Sequence, residues 1–486
     1  MRTAKQTIFR EYLTRMFIVL LTLIVAAGCG DFGVKDDSTK DLNDKNEANQ
    51  PITRYTGEMS KAISMVYTTK RQLALTFNGM GDADTMKQIL DQLDTYQIQA
   101  TFFLPGMRVA EEPDIAREIL DRGHEIENNT LSRLDMSKLS YDQIYREIEL
   151  SNGVITKETG VTPKYVRTKS GDYSDDVRLA AAHNGQEAVI SYSLFLHNWQ
   201  NETEQQKKNY VRKYINRGGI ITLDTEENKH IVEVIPLLAE AAADVGYEFV
   251  PLDKLVKQGG ERKPLEAIAG YDAARINPDN QAKYDLIYKE ETAKKQVVLT
   301  FDDWGTDYTI TKILDILDKY QIKASFFLRA DGVEKNPNLA RAIAEAGHDV
   351  GNHTYSHPVL STITAAQIQE EVVKAHQVIT EAIQEKPAML FRPPTGNISD
   401  SEAAIIAATG YKTIVNYDVD PTDWDKQMTA DDIVNDIVQQ TQTGSNILLH
   451  MLDDIHTIEA LPRVIETLER NGFTFVKMTD LIGKKS

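Results

Sequence analysis

At 486 residues the chain is long enough for two ordinary domains or one large barrel. Its composition, 41% hydrophobic and 26% charged, is that of a globular protein that can bury a core. The formal net charge is −19, and no Lys/Arg-rich run follows the first residues. Nucleic acid is therefore not expected as a partner, because such binding depends on cationic neutralisation of phosphates.

The N-terminal segment has the layout of a secretory signal. Four cationic residues precede an apolar run over 16–27, which is too short for a comfortable membrane span. Cys29, the one cysteine of the chain, follows small residues and resembles the lipidated cysteine of a bacterial lipoprotein box, although Ala26 stands where that box prefers Leu, Val or Ile. We therefore predict a lipoprotein-type signal peptide over 1–29, lipidation of Cys29 and an extracytoplasmic, membrane-anchored protein. An uncleaved N-terminal anchor helix is the alternative.

Beyond a polar tether predicted over 30–57, the chain repeats itself. The stretch TFNGMGDADTMKQILDQLDTYQIQATFFL (76–104) aligns without gaps with TFDDWGTDYTITKILDILDKYQIKASFFL (300–328). A repeat of this length is a duplicated domain rather than a solenoid unit. We expect a first copy over 58–257, a linker or docking segment over 258–293 and a second copy over 294–486.

The second copy alternates strand and helix patterns. Its predicted strands are VVLTF, ASFFL, HDVGNH, MLFRP, KTIVNY, NILLH and FTFVK, and its amphipathic helices include TITKILDILDKY, AAQIQEEVVKAHQVITEAI and LPRVIETLERNG. This alternation predicts a parallel sheet of the α/β class, and seven strands can close into a barrel. The fold expected is two tandem, distorted (β/α) barrels of about seven strands each.

Distinctive polar residues follow the predicted strands at their carboxyl ends, where such barrels gather their chemistry. Asp302 and Asp303 follow VVLTF, and His353 and His357 follow DVGN with the four-residue spacing that can bring two imidazoles to one metal ion. One carboxylate and two neutral imidazoles make a three-ligand site with open positions for water and substrate. The alternative, a helix-capping Asp303 with surface histidines, leaves the conjunction of these residues unexplained.

Five motifs in order across residues 300–450 resemble those of the polysaccharide deacetylases with a NodB-homology domain, carbohydrate esterase family four. The motifs are TFDD, HTYSH, RPPTG, DPTDW and LLH. The resemblance implies that Asp302 is the general base and that Asp303, His353 and His357 bind a divalent metal, with zinc expected first and cobalt, nickel or manganese possible. It also implies that His450 is the general acid.

The same resemblance assigns supporting residues. Arg392 would orient the base, Asp423 would tune the acid, and the backbone N–H of Thr395 would face the oxyanion. Three further side chains, Trp424, Leu448 and Trp304, are predicted to contact substrate. Trp304, Thr395 and Met451 depart from the residues usual in the family, which leaves the choice of substrate more open than the type of reaction.

The chemistry of amide hydrolysis explains this set. The carbonyl of an N-acetyl group is a weak electrophile, so a metal that polarises it and lowers the pKa of water toward ~7 is expected. Asp302 can accept the proton of the attacking water, and a backbone donor can meet the oxyanion. The amine must be protonated before it leaves, and a carboxylate beside His450 would raise the pKa of that acid.

The first copy lacks these groups. Asn78 and Gly79 align with the two acids, Asn129 and Arg133 with the two histidine ligands, and Asp224 with His450. Asn198 replaces Asp423, whereas Arg167 and Trp199 match Arg392 and Trp424. The first copy is thus predicted to be inactive. It either binds glycan through Trp199 and Arg167 or, as we favour, acts as a packing partner for the second copy.

The sequence therefore predicts a metal-dependent polysaccharide deacetylase of a bacterial envelope. Its expected partners are an N-acetylated polysaccharide and the membrane. Peptidoglycan is the first candidate substrate, before chitin-like oligomers or a secreted poly-N-acetylglucosamine. An O-acetyl polysaccharide esterase and a non-catalytic glycan-binding lipoprotein are the alternatives.

Overall fold

Each copy folds into a curled sheet of parallel strands with helices packed on its outer face, as the strand–helix alternation predicts. The computed structural model describes residues 52–196, 202–228 and 230–483. Both copies belong to one compact unit over 54–486. The predicted α/β fold with two tandem, distorted barrels is confirmed.

The first copy is built on a sheet of order β1-β6-β5-β4-β3-β2-β8-β7, in which β9 also pairs with β2. Its strands are β1 (Lys61–Ile63), β2 (Gln72–Asn78), β3 (Thr101–Leu104), β4 (Glu125–Asn128), β5 (Tyr165–Val166), β6 (Ala188–Ile190), β7 (Leu194–Phe195), β8 (Ile220–Asp224) and β9 (Glu248–Phe249). Its helices are α1 (Ala83–Thr95), α2 (Gly106–Glu111), α3 (Pro113–Asp121), α4 (Tyr141–Thr159), α5 (Asp175–His183), α6 (Glu204–Tyr214), α7 (Ile231–Val245) and α8 (Leu252–Gln258).

The second copy repeats this topology with the order β10-β15-β14-β13-β12-β11-β16, and β17 pairs with β11. Its strands are β10 (Asp285–Ile287), β11 (Gln296–Asp303), β12 (Ser325–Leu328), β13 (Asp349–Asn352), β14 (Leu390–Phe391), β15 (Thr413–Val415), β16 (Asn446–His450) and β17 (Thr474–Phe475). Its helices are α9 (Asp307–Lys319), α10 (Ala330–Lys335), α11 (Pro337–Glu345), α12 (Ala365–Ile383), α13 (Asp400–Ala408), α14 (Ala430–Gln440), α15 (Thr457–Arg470) and α16 (Met478–Leu481).

All seven strands predicted for the second copy are present, but the segment predicted as a linker over 258–293 contains an additional one. Strand β10 lies in that segment and pairs in parallel with β15, just as β1 pairs with β6 in the first copy. The second barrel therefore begins before residue 294. Only Ile287 of its three residues is buried and charged residues lie close on both sides, so no apolar run marked this strand in the sequence.

Strand β11 shows how the alternation of side chains along a strand positions Asp302. Successive side chains of a strand point to opposite faces. Val297, Leu299 and Phe301 pack into the core between sheet and helices, whereas Val298 belongs to a different apolar cluster together with Phe327. The side chains at 298, 300 and 302 therefore face the inside of the curled sheet, which brings Asp302 to the inner rim of the barrel at the carboxyl end of its strand.

The two copies meet through buried polar contacts. The guanidinium of Arg217, in the first copy, donates from Nη2 to Oδ1 of Asp307 at 2.9 Å, and both side chains are almost completely buried. Asn338 Nδ2 donates to the backbone carbonyls of Val66 and Arg217, at 2.8 Å each. A charge removed from water in this way requires its oppositely charged partner. Arg217 and Asp307 therefore hold the two copies together as one body.

Several predictions fall outside the described residues: the signal peptide, lipidation of Cys29, most of the tether, and the positions of Asn198 and Trp199. Among the helices that the structure does describe, none combines the length and apolarity needed to traverse a bilayer.

Candidate active site

The predicted metal ligands lie at the carboxyl ends of two parallel strands, β11 and β13, which are separated in the sheet by β12. Asp303 ends β11, and His353 directly follows β13. The chain then turns back through Thr354 and His357, with φ angles of 65° and 61°. Asp303 also has a left-handed φ, of 75°. Such angles are costly for residues other than glycine, so the backbone is held in place by its surroundings to aim these side chains at one point.

The three side chains come together. One ligand atom from each of Asp303, His353 and His357 lies within 4.8 Å of the others, and the imidazole centroids are 4.9 Å apart. His357 Nε2 lies 3.7 Å from Asp303 Oδ1. Distances of this order between donor atoms suit a single small cation, and the mixed N/O donor set suits a divalent transition metal. The residues therefore fit the metal that the sequence predicts.

The histidine deepest in the site is held in the tautomer that a ligand needs. His353 Nδ1 lies 2.8 Å from the backbone carbonyl of Arg392, to which it donates, and this leaves Nε2 free to bind a cation. Burial is the largest influence on this imidazole and lowers its pKa. His353 is thus kept neutral, which is the form that binds metal.

Asp302 lies beside this group. Its Oδ1 accepts a 2.8 Å hydrogen bond from Nη1 of Arg392, and its Oδ2 lies 3.8 Å from His353 Nε2. The guanidinium of Arg392 is completely buried, stacks over Phe327 at 4.2 Å and also donates to Thr300 Oγ1. Arg392 therefore fixes one carboxylate oxygen of Asp302 and leaves the other directed toward the cavity.

His450 approaches from the opposite side of β11. Its Nδ1 lies 2.7 Å from Asp423 Oδ1, and its backbone N–H donates to Asp423 Oδ2. Thr457 Oγ1 donates to the same carboxylate. Burial disfavours the charged imidazole, but the hydrogen bond and charge of Asp423 outweigh it and raise the pKa of His450 to about 9. The imidazole is therefore protonated at neutral pH.

A cavity of about 350 Å³ connects these groups. Thr395, with φ 63°, Leu448 and the half-exposed Trp424 line it as predicted for groups near substrate. Trp304 does not line it, because its indole packs against Gly332 of α10, where a Cβ would stand 2.1 Å from the ring. The prediction that Trp304 contacts substrate in this cavity is therefore not matched by its position.

Three further lining residues were not predicted: Gly396, Tyr417 and Asp420. Tyr417 follows β15 at its carboxyl end, the position that singled out the other site residues. That positional rule, applied to the strand KTIVNY, would have found it. Asp420 is the first residue of the motif DPTDW and Gly396 the last of RPPTG, so both lie in motifs that the sequence singled out, although no role was predicted for them.

The other described histidines of the second copy lie outside the site. His348 is buried, accepts a hydrogen bond from the backbone N–H of Ala324 and has its pKa lowered by burial to about 4. His376 is completely buried between Tyr411 and the carbonyl of Gly270. His456 is exposed at the start of α15. These contacts are structural.

In the first copy, a guanidinium occupies the corresponding space. Arg133, which aligns with His357, donates to Asp224 Oδ2 at 2.5 Å and pairs with Glu226 at 2.6 Å. A Cβ on Gly79 would lie 2.6 Å from Nη1 of Arg133, so the site has no room for a side chain where Asp303 stands in the second copy. The first copy thus has an internal ion pair where the second copy gathers an aspartate and two histidines.

Arg167 cannot serve the glycan-binding role considered for it. Its side chain is completely buried and donates to Thr76 Oγ1 and Asn78 Oδ1. Arg167 occupies the same internal position as Arg392 does in the second copy, and it exposes no surface that a ligand could reach.

Comparison with known proteins agrees with this geometry. A profile of the polysaccharide deacetylase family matches residues 66–189 and again residues 289–414, which together make up more than half of the chain. The chain therefore belongs to the polysaccharide deacetylase family, a family of hydrolases, and the predicted tandem resemblance is confirmed.

Relatives in this family have been named for their substrates. A peptidoglycan-N-acetylglucosamine deacetylase of Bacillus cereus is 34% identical over 203 residues, covering 41% of this chain and 72% of the relative. The peptidoglycan-N-acetylmuramic acid deacetylase PdaA of Bacillus subtilis is 31% identical over 205 residues, covering 42% and 77%. Among solved structures, the Bc1960 peptidoglycan N-acetylglucosamine deacetylase is 33% identical and aligns with 41% of this chain and 92% of its own, with a TM-score of 0.39.

Proposed function

We propose that the second copy removes N-acetyl groups from the amino sugars of peptidoglycan with the help of a bound divalent metal. The observation that carries the proposal is the meeting of an acid, a base and a three-ligand group in one cavity. The names of the relatives in Bacillus cereus and Bacillus subtilis support peptidoglycan as the substrate.

Asp303, His353 and His357 would hold the metal, for which zinc is the first candidate because two imidazoles and a carboxylate suit it. When bound, such an ion polarises the acetyl carbonyl and lowers the pKa of water. Thr395 lies on the cavity wall. Its backbone N–H would donate a hydrogen bond to the oxyanion that develops during the reaction.

Asp302 would accept the proton of the attacking water through the oxygen that Arg392 leaves free. The hydrogen bond from Arg392 keeps the carboxylate oriented for this transfer. This carboxylate reaches the cavity from the inner face of β11.

His450 would complete the reaction. Because Nδ1 is hydrogen-bonded to Asp423, the proton available to the substrate is on Nε2. Transfer of that proton to the amide nitrogen lets the C–N bond break and the amine leave, while acetate remains as the other product. The acid faces the cavity from β16, across β11 from the histidine ligands.

The test is acetate release from a panel of purified polymers by the metal-loaded full chain. N-acetylated peptidoglycan should release acetate, and Asp302→Asn should reduce kcat by about 10²–10⁴-fold, since a positioned base contributes that much. Asp318→Asn, an exposed change on α9, is the matched control. Release from O-acetylated xylan alone would support the esterase alternative. If no polymer releases acetate, the proposed activity is wrong and the alternative, a non-catalytic glycan-binding lipoprotein, is supported.

We also propose that the protein is exported and anchored through a lipid on Cys29, outside the cytoplasm. The cationic and apolar N-terminal pattern supports this. Labelling with radioactive palmitate should mark the wild-type chain and not Cys29→Ser. Equal labelling of both proteins, or normal processing of the variant, would contradict the lipid anchor.

A further inference from the structure

Two buried asparagines lie behind the active-site cavity. Asn416 directly follows β15, and Asn446 is the first residue of β16. Both side chains are almost completely buried, and Asn446 Nδ2 donates a hydrogen bond to the backbone carbonyl of Asn416. Neither residue lines the cavity, so any role in the site has to be indirect. We call Asn416 and Asn446 the asparagine pair.

Asn416 holds the turn that carries Thr395. Its Nδ2 donates to the backbone carbonyl of Gly396 at 2.7 Å, and a flipped amide would instead set two oxygens against each other. Thr395 has a φ of 63° and Gly396 a φ of 70°, a conformation that is costly for threonine. Contacts from outside the turn must therefore maintain it, and the amide of Asn416 supplies one of them.

The backbone of Asn416 is fixed as well. Its N–H donates to the carbonyl of Ile287 in β10 at 2.7 Å, and its carbonyl accepts a hydrogen bond from Nη2 of Arg392 at 3.3 Å. The same guanidinium holds Asp302 through Nη1. Asn416 thus connects the turn around Thr395 with the arginine that orients the proposed base.

The asparagine pair has an energetic cost that the fold does not require. Oδ1 of each residue is buried and finds no hydrogen-bond partner among the described residues, and an unpaired buried acceptor is destabilising. In the inactive first copy, Ser191 and Ile220 stand at the equivalent positions, and that copy forms the same strand pairings without the pair. The pair therefore serves the proposed site and not the barrel.

The first copy also secures its turn differently. Tyr192 Oη donates to the carbonyl of Ser170 at 2.8 Å, and Ser170 aligns with Thr395. In the second copy the equivalent Tyr417 packs against Gly396, where a Cβ would lie 2.4 Å from the phenol oxygen. Both copies keep the tyrosine, so the asparagine contact is what distinguishes the turn of the second copy.

We propose that Asn416, supported by Asn446, is a positioning residue for deacetylation: it holds the turn so that the backbone N–H of Thr395 meets the oxyanion. The inference rests on the proposed function and adds to it a residue that does not contact substrate. A donor stabilises the oxyanion only if it is correctly placed before the reaction. A displaced turn should therefore affect the transition state more than the bound substrate.

The first test is acetate release by the full-length Asn416→Ser variant, which carries the residue of the first copy. The kcat should fall by about 10²-fold, the lower end of the loss for one missing oxyanion donor, with KM unchanged. Asn471→Ser, at an exposed asparagine after α15, is the matched control and should keep the wild-type kcat. An unchanged kcat in Asn416→Ser, or a loss that appears in KM alone, would overturn the proposal.

The second test requires no turnover. In metal-free protein, hydrogen–deuterium exchange of the backbone amides over 395–397 should be about tenfold faster in Asn416→Ser, the scale expected for one lost hydrogen bond, and unchanged in Asn471→Ser. Unchanged exchange in Asn416→Ser would contradict the inference whether or not the wild-type protein releases acetate. A wild-type protein that releases no acetate from any polymer contradicts only the proposed activity.

A third variant separates positioning from folding. Asn416→Ser combined with Asn446→Ile carries the two residues with which the first copy folds, so this protein should remain folded in urea titrations and show the same loss of kcat. If the double variant does not fold, the asparagine pair is a requirement of the barrel and the proposal is wrong.

Discussion

At the scale of single residues, the two copies differ most informatively at the end of the first central strand. Asp303 has a φ of 75°, and Gly79 has a φ of 79° at the equivalent position. A left-handed conformation costs an L-residue about 1–2 kcal/mol, which glycine does not incur. The second copy thus keeps a strained backbone that presents a carboxylate to the cavity, and the first copy has lost both the carboxylate and the strain.

This comparison makes a prediction about Asp303. Both Asp303→Gly and Asp303→Ala should eliminate metal binding. In chelator-treated protein, however, the glycine variant should be about 1 kcal/mol more stable than the alanine variant, because only glycine relieves the left-handed φ. Urea denaturation measures the difference. A more stable alanine variant would show that the backbone at 303 is not strained.

His450 predicts the pH dependence of turnover. Its pKa is raised to about 9, so the protonated acid predominates below that pH, and kcat should fall as pH rises through about 9. Asp423→Asn removes the charge that raises this pKa, so the alkaline limb should move to lower pH. His456→Ala, at an exposed histidine, should leave the profile unchanged. If Asp423→Asn leaves the alkaline limb of the pH profile unchanged, His450 is not the general acid.

At the scale of elements, Asp307, the first residue of helix α9, ties this helix to the first copy through its ion pair with Arg217. Arg217→Met should destabilise the chain by about 3–5 kcal/mol, because Asp307 would be left charged and buried without its partner. Arg463→Met, which breaks an exposed pair with Asp431, should cost less than 1 kcal/mol. Chemical denaturation compares them. Equal stabilities would show that the interface is not a structural requirement.

The elements also show what the sequence could and could not predict. Long patterns were reliable: the predicted helix AAQIQEEVVKAHQVITEAI coincides with α12, whose Thr364 and Gln367 form a capping box. Strand β10 was missed because only Ile287 of its residues is buried and no apolar run marks it. Motifs identified most of the side chains that meet in the cavity, but the position of Trp304 depends on its packing against α10, which spacing does not encode.

At the scale of the whole molecule, the duplicated fold has divided its tasks. One barrel gathers the aspartate and histidine side chains of the proposed site, while the other has filled the equivalent space with Arg133 and its acidic partners. Buried contacts join the barrels, and this agrees with the packing role favoured from the sequence. The arrangement of the two barrels relative to each other, which sets these contacts, could not be predicted from either repeat alone.

The most direct test is a crystal structure of metal-replete protein with anomalous diffraction data collected at the absorption edge of the metal. One strong peak per chain is expected, bounded by Asp303, His353 and His357, and no peak beside Arg133 in the first copy. Metal-replete crystals with those three side chains apart and no peak between them, or with a peak in the first copy, would contradict the proposed metal site.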